Sequence, residues 1–191
     1  MSKIKNIFFG RHLWITNTIS GGVLLALGDL IQQSIEQRNS ACDGNAKQYD
    51  LERSGRMTTV GFALGLPHHY WYLFLDRLIP GTSMRCVAKK ILLDQSCFSP
   101  FANFVFFTGS GLLEGNSYKD SWNEFKEKFP MVYKTDCLFW PPAQIVNFTF
   151  LSPTYRVLYV NFFTLAWNVF LSYAKNFDKV NIHVGKEMPL V

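Results

Sequence analysis

The sequence predicts an all-α fold: a multispanning helical membrane protein with about four transmembrane helices, a short amphipathic helix and a proline-broken last segment. The first observation is the spacing of charge. No acidic or basic residue lies between Arg11 and Asp29, Arg56 and Asp76, Asp94 and Glu114, Asp136 and Arg156, or Arg156 and Lys175. Each gap approaches the ~20 residues that cross a hydrocarbon core of ~30 Å. The second is where the rings gather. Trp14, Tyr70, Trp71, Tyr72, Trp140 and Tyr173 lie near window edges, like the aromatic belt at headgroup level. The third is the run from Asp136 to Tyr173. It is almost wholly apolar and aromatic, yet it holds Pro141, Pro142, Pro153 and Arg156, with amides at Gln144, Asn147, Asn161 and Asn168. A membrane segment with a polar inner seam accounts for that mixture better than a soluble core does. A soluble bundle of buried helices is the competing reading.

The elements follow in order. Residues 1–12 form a basic arm, with Lys3, Lys5 and Arg11 and no acid before Asp29. Such a start fits an uncleaved targeting segment or a flank basic by the positive-inside rule. The helical membrane domain runs from 13 to 175. Its first span, 13–33, is rich in small and polar residues (Thr16, Asn17, Thr18, Ser20, Gly21, Gly22) that let another helix approach. A polar loop, 36–52, leads to the second span, 54–75, where Gly61 and Gly65 make a GxxxG helix-packing pair. Ile79-Pro80-Gly81-Thr82 breaks the chain. The third span, 87–113, contains Pro100, which predicts a kink. Between Ser117 and Phe129 the pattern changes. Trp122, Phe125 and Phe129 recur among charges, which predicts a short interfacial helix. The last region, 132–173, breaks near 152–153 into one interrupted span or two. Residues 176–191 are a polar tail. Leu93-Asp94-Gln95 to Pro100 and Thr135-Asp136 to Pro141 echo one another, as a duplication would leave them.

With four spans, both ends and the central loop share one face. That face holds ten basic residues (Lys3, Lys5, Arg11, Arg77, Arg85, Lys89, Lys90, Lys175, Lys179, Lys186) against Asp76, Asp178 and Glu187, and ten minus three gives +7. The other loops balance their charges. Both termini are therefore expected on the matrix side of a mitochondrial membrane, and a fifth span would move the carboxyl end. An ionised group in lipid costs at least about 2.5–3.5 kcal/mol, so Arg156 is expected to pair with Asp29, Asp94 or Asp136. For Asp29 and Asp94, snorkelling at a helix end is the alternative. The amides act as interhelical glue or line a pore. Asn147-Phe148-Thr149 matches a glycosylation sequon but sits in an apolar window.

Cys42, Cys86, Cys97 and Cys137 show no paired spacing that would point to a disulfide framework or a zinc site. His68-His69 has no third ligand at helical spacing. The chain has no phosphate loop, no GxSxG and no paired carboxylate in a plausible cleft. The expectation is a non-enzyme without catalytic residues, cofactor or metal.

One pattern is specific: Trp140-Pro141, Gln144, Asn147-Phe148, Pro153, Arg156, Val160-Asn161, Trp167-Asn168 and Leu171-Ser172. Upstream stand Asn17-Thr18, Gly28-Asp29 with Gln32-Gln33, Pro67 with His69-Tyr70-Trp71-Tyr72, Leu75-Asp76, Lys90, and Asp94-Gln95 with Pro100. Together they resemble the Mpv-seventeen/peroxisomal membrane protein family, small multispanning proteins of mitochondrial inner and peroxisomal membranes, along nearly the whole chain. Ser152-Pro153 departs from the Val-Pro of many relatives. Thr16-Asn17-Thr18, Leu75-Asp76-Arg77, Leu113-Glu114-Gly115 and Tyr133-Lys134 before Asp136 look closest to the Mpv-seventeen-like protein two branch.

That resemblance implies residence in the mitochondrial inner membrane and a role in assembly and stability of the mitochondrial ribosome, and hence in translation. It implies ribosomal subunits as partners, the large one first. A peroxisomal membrane is the alternative location. A weakly selective channel for small solutes is the alternative function, built from the amides, Arg156 and the broken helices. The lipid bilayer is a partner in either case. Homo-oligomerisation and direct RNA contact stay open.

Overall fold

The computed structural model describes residues 13–42, 48–81, 83–151 and 153–186. Among them there are helices and connections but no strand. The helices are α1 (Leu13–Cys42), α2 (Leu51–Leu78), α3 (Met84–Leu93), α4 (Ser99–Leu113), α5 (Tyr118–Phe150) and α6 (Pro153–Lys186). A π-helical segment, Asp94–Phe98, joins α3 to α4, so the described residues form five rods.

Local chemistry sets the helix starts. Asp50 caps α2 by accepting from Arg53 N at 2.9 Å. Ser83 and Ser117 cap α3 and α5 through their hydroxyls. α4 ends where Gly115 takes φ +85°, and Asn116 N closes back on Gly111 O at 3.0 Å. Glycine adopts that left-handed backbone without Cβ strain.

Pro100 does not break the third rod. The π turn lies just before it, with Ser99 N bonded to Asp94 O. The wider turn supplies the extra residue that a ring without an N–H requires. Pro67, Pro130, Pro141 and Pro142 also lie inside helices. The real interruption is Leu151, which is extended (φ −101°, ψ 133°). Pro153 then opens α6, because its fixed φ suits a first helical position.

One expectation needs correction: the amphipathic stretch 117–129 is not a separate helix but the first part of the 33-residue α5. The region 132–173 does break beside the expected 152–153, and of the two forms left open it takes the one with two helices, α5 and α6. These run antiparallel. Phe139 meets Phe163 and Trp167, Lys128 reaches the carbonyl of Lys175, and Arg156 bonds Phe148 O.

Every consecutive pair of rods is antiparallel. α1 and α2 are the closest pair. A Cβ added at Gly65 would lie 2.5 Å from Cα of Thr18, and one at Gly61 2.8 Å from Cα of Gly22. Only bare glycine permits that approach. The apolar core draws on five helices: Leu25, Met57, Val60, Phe106, Phe107, Val132, Trp167 and Leu171. Because the rods alternate and number five, α1 begins at one end of the bundle and α6 finishes at the other. The shared face expected for both termini assumed four spans, whereas the described residues form five rods.

The bundle is apolar outside as well as inside. Ile19, Val23, Leu27, Ile31 and Ile35 form an exposed stripe along α1 at every fourth residue. Meanwhile Asp29, Ser121 and Ser172 are fully buried. Among the described residues, one helix is long and apolar enough to cross a membrane by composition alone, over Trp14–Ala41. The expected four spans are not reached on that criterion, because the other rods turn polar side chains inward and dilute their own hydropathy.

Candidate functional site

The polar side chains gather in layers through the bundle. At the end where α1 meets α2, Asp29 is the hub. Its Oδ1 accepts Arg53 Nε at 2.7 Å and Ser172 Oγ at 2.6 Å. Its Oδ2 accepts Gln33 Nε2 at 2.8 Å and Ser54 Oγ at 2.6 Å. Arg53 also holds Glu36 through both terminal nitrogens, at 2.9 and 3.1 Å, and donates to Ser172 Oγ at 2.7 Å. Four donors on one buried carboxylate satisfy its oxygens, which is the condition for keeping a charge out of water. Gly28 makes this layer possible: a Cβ there would lie 2.6 Å from Cβ of Asn168, so α6 rests directly on α1.

A second ionic group shares that end of α6. Lys175, whose side chain is fully buried, meets Glu124 at 2.5 Å and Glu114 at 3.5 Å. Lys128 bonds Glu124 at 3.1 Å and Lys175 O at 2.7 Å. Two cations and two anions close the group with no net charge.

The third layer lies around the π segment. Trp71 Nε1 donates to Asp94 at 2.8 Å. Ser99 Oγ donates to Asp136, and Asn103 Nδ2 bonds Ser99 O at 2.9 Å. Gln95 accepts Tyr133 on its carbonyl at 3.2 Å and Cys137 on its side chain at 3.5 Å. The two stretches that echo each other in sequence therefore pack against each other through Gln95, beside Asp136.

At the far end, Arg156 does not pair with any aspartate, contrary to expectation. Its Nε donates to Leu151 O at 3.1 Å, its Nη2 donates to Phe148 O at 3.3 Å, and the guanidinium lies 5.1 Å from the Phe148 ring centre. The reason is position. Arg156 stands one turn into α6, beside the free carbonyls that end α5, and each aspartate is engaged elsewhere.

The remaining signature residues are dispersed. Trp140 and Trp167 meet edge to face at 6.3 Å. Pro141 is half-buried next to them in chain order, and Pro153 marks the start of α6. Asn147 is buried and donates to Gln144 at 3.2 Å. Asn161 is exposed. His68 stacks on Tyr72 and meets Phe98 at a tilt, and His69 bonds Asn17 at 3.0 Å. Among the described residues no three His, Cys, Asp or Glu side chains group to hold a metal ion.

Sequence reasoning missed Arg53, Glu36, Glu124, Lys128 and Lys175 as interior groups. They flank the apolar windows and read as loop charges. The available signal was Ser172, which stands in the signature although an apolar window has no use for a lone hydroxyl.

Comparison with known proteins agrees with this layout. A model of the Mpv17 / PMP22 family matches residues 111–172, from the end of α4 through Ser172. "PXMP2/4 family protein 4" of Dictyostelium discoideum is 37% identical, over 82% of this chain and 83% of that protein. "Mitochondrial inner membrane protein Mpv17" of Xenopus laevis is 32% identical, over 87% of this chain and 92% of that protein. "Mpv17-like protein" of the same organism is 31% identical, over 90% and 81%. No solved structure matches. With relatives at this identity along most of its length, the chain belongs to the Mpv17/PMP22 family.

Proposed function

We propose that the protein is embedded in the mitochondrial inner membrane, its five rods crossing the bilayer, and that its basic end supports assembly and stability of the mitochondrial ribosome. The observation that carries this reading is the charge difference between the two ends. One end holds Arg77, Arg85, Lys89, Lys90 and Arg156 against Asp76 among the described residues; five minus one is +4. At the other end, residues 36–56 and 114–128 with the last part of α6 (Lys175, Asp178, Lys179, Lys186) offer nine basic and eight acidic side chains among the described residues, and nine minus eight is +1. By the positive-inside rule the first end faces the matrix. A basic face there attracts ribosomal RNA through counterion release. Relatives named mitochondrial inner membrane proteins support the compartment over the peroxisomal membrane, and the branch resemblance supports the ribosomal role. Sucrose-gradient profiles of mitochondria lacking the protein test it. Depleted large subunits and monosomes are expected, and a normal profile sinks the reading.

The channel reading draws on a different observation. Thr108 Oγ1, Ser110 Oγ and Asn147 Oδ1 are buried without a partner. Orphaned polar atoms in an interior otherwise well satisfied mark places where water is wanted. With Asp94 and Asp136 between them along the bundle, they outline a wet path. Purified protein in planar bilayers tests this: a cation-preferring conductance reduced by Asp136→Asn is expected, and a silent bilayer rejects it.

A further inference from the structure

The outer seam between α2 and the third rod carries a groove of about 440 Å³. Tyr70, Trp71 and Phe74 form one wall, and Cys97, Phe98 and Phe101 the other. Pro67 lies a turn further along α2 and extends the same stripe, since 67, 70, 71 and 74 recur at helical spacing. The walls are held in place. Trp71 is tied to Asp94 at 2.8 Å and stacks on Phe98 with centroids 5.5 Å apart and planes 17° from parallel. The lining is aromatic and apolar, so water gains nothing there and a hydrocarbon chain gains dispersion contact along both walls.

The groove points toward the basic end of the bundle. Arg77 lies three residues beyond Phe74 and seven beyond Tyr70, on the same helical stripe, ~4.5 Å further along the axis than Phe74. Lys90 reaches Asp76 at 2.6 Å, which sets the Lys89–Lys90 turn of α3 beside the Asp76–Arg77 turn of α2. That contact neutralises Lys90. Arg77, Arg85 and Lys89 remain exposed. An apolar slot that ends under unneutralised cations matches one kind of molecule in its surroundings: a lipid with a chain and a negative head.

We propose that this groove is a binding site for an anionic phospholipid, one acyl chain lying between Trp71 and Phe101 and its phosphate against Arg77 and Lys89. The site rests on lipid embedding of the bundle and on neither functional reading. Basic pockets between helices at the matrix-facing side are a recurrent way of holding anionic headgroups.

The test uses the full chain in bilayers doped with phospholipids brominated on the acyl chain, which quench tryptophan on contact. The Trp71 contribution is the difference between the wild type and Trp71→Phe. Half-maximal quenching of that component is expected at a mole fraction at least about fivefold lower for brominated phosphatidylglycerol than for brominated phosphatidylcholine. Arg77→Gln with Lys89→Gln, both at exposed positions, should bring the two lipids close to equality while leaving quenching itself intact. Equal dependence on both headgroups in the wild type overturns the site, and so does a preference that survives the double substitution. Quenching of Trp71 that falls as protein density rises would place a second copy in the groove, which also overturns it. Failure of either lipid to quench any tryptophan would instead overturn lipid embedding, a separate result.

Discussion

Asp29 and Arg53 show how a charge is kept inside this bundle. Asp29 is fully buried and Arg53 nearly so. Removing the cation alone leaves a carboxylate facing three uncharged donors, Gln33, Ser54 and Ser172. Breaking a buried pair in this way typically costs about 3–5 kcal/mol. Arg53→Met should therefore lower the melting temperature in mild detergent sharply. Asp29→Asn combined with Arg53→Met should recover a substantial part of the loss, because the stranded charge is gone. A double variant no more stable than Arg53→Met would mean that the pair is not coupled. Arg156 is a different case. It caps carbonyls and is half-exposed, so Arg156→Ala should cost only about 1–2 kcal/mol. Reversing its charge together with any one aspartate should restore nothing, which a set of reciprocal variants assayed for steady-state abundance will show.

The contact between α1 and α2 depends on residues with no side chain to offer. A Cβ at Gly65 would meet Thr18 backbone at 2.5 Å, whereas one at Gly55, on the same helix, meets nothing within 4 Å. Gly65→Ala is expected to destabilise by about 1–3 kcal/mol through overpacking. Gly55→Ala should be neutral or stabilising, since alanine is the better helix former by up to about 1 kcal/mol. Thermal unfolding of the two variants side by side checks this, and equal midpoints would refute the close approach. The GxxxG spacing was legible in the sequence, and so was the helical class. The window 54–75 falls inside a rod that extends three residues further at each end, and the window 87–113 shares its last residue with a rod that starts three residues earlier. What was not legible is which element each inward residue meets. Periodicity reports a face, not a partner, so Arg156 was matched with distant aspartates when its neighbours were the last carbonyls of α5. Charges at window edges misled for a related reason. Arg53 and Lys175 begin and end apolar runs, and a one-dimensional reading cannot distinguish a side chain leaving the bilayer from one folding back into the bundle. The stretch 117–129 read as a separate interfacial helix because Trp122, Phe125 and Phe129 recur there among charges. Yet its inward positions Ser121, Lys128 and Val132 continue in register into the rest of α5.

At the scale of the whole molecule, the number of rods decides where the chain ends up. Five alternating rods put the start of α1 and the end of α6 at opposite ends, and the charge difference of +4 against +1 is what the proposed orientation rests on. The proposed five-crossing orientation would put the carboxyl end in the intermembrane space and the amino end in the matrix. The four-span expectation placed both in the matrix, so the two topologies differ at a single observable point. A small epitope fused at either end reports it under graded protease treatment. In intact mitochondria both epitopes should be protected. Once the outer membrane is ruptured by swelling, the carboxyl-terminal epitope should be digested and the amino-terminal one should survive until detergent is added. Survival of both in swollen mitochondria would require an even number of crossings. That result would mean one of the five rods lies outside the bilayer, and α3 with its π turn would be the first to doubt. Its third-rod partner α4 is apolar, but Arg85, Lys89 and Lys90 make α3 the most highly charged stretch of that rod. Against that, Lys90 is held by Asp76 and Asp94 by Trp71, both from α2. Two polar ties to a neighbouring rod are what a charged segment needs to remain inside, and they favour the five-crossing outcome.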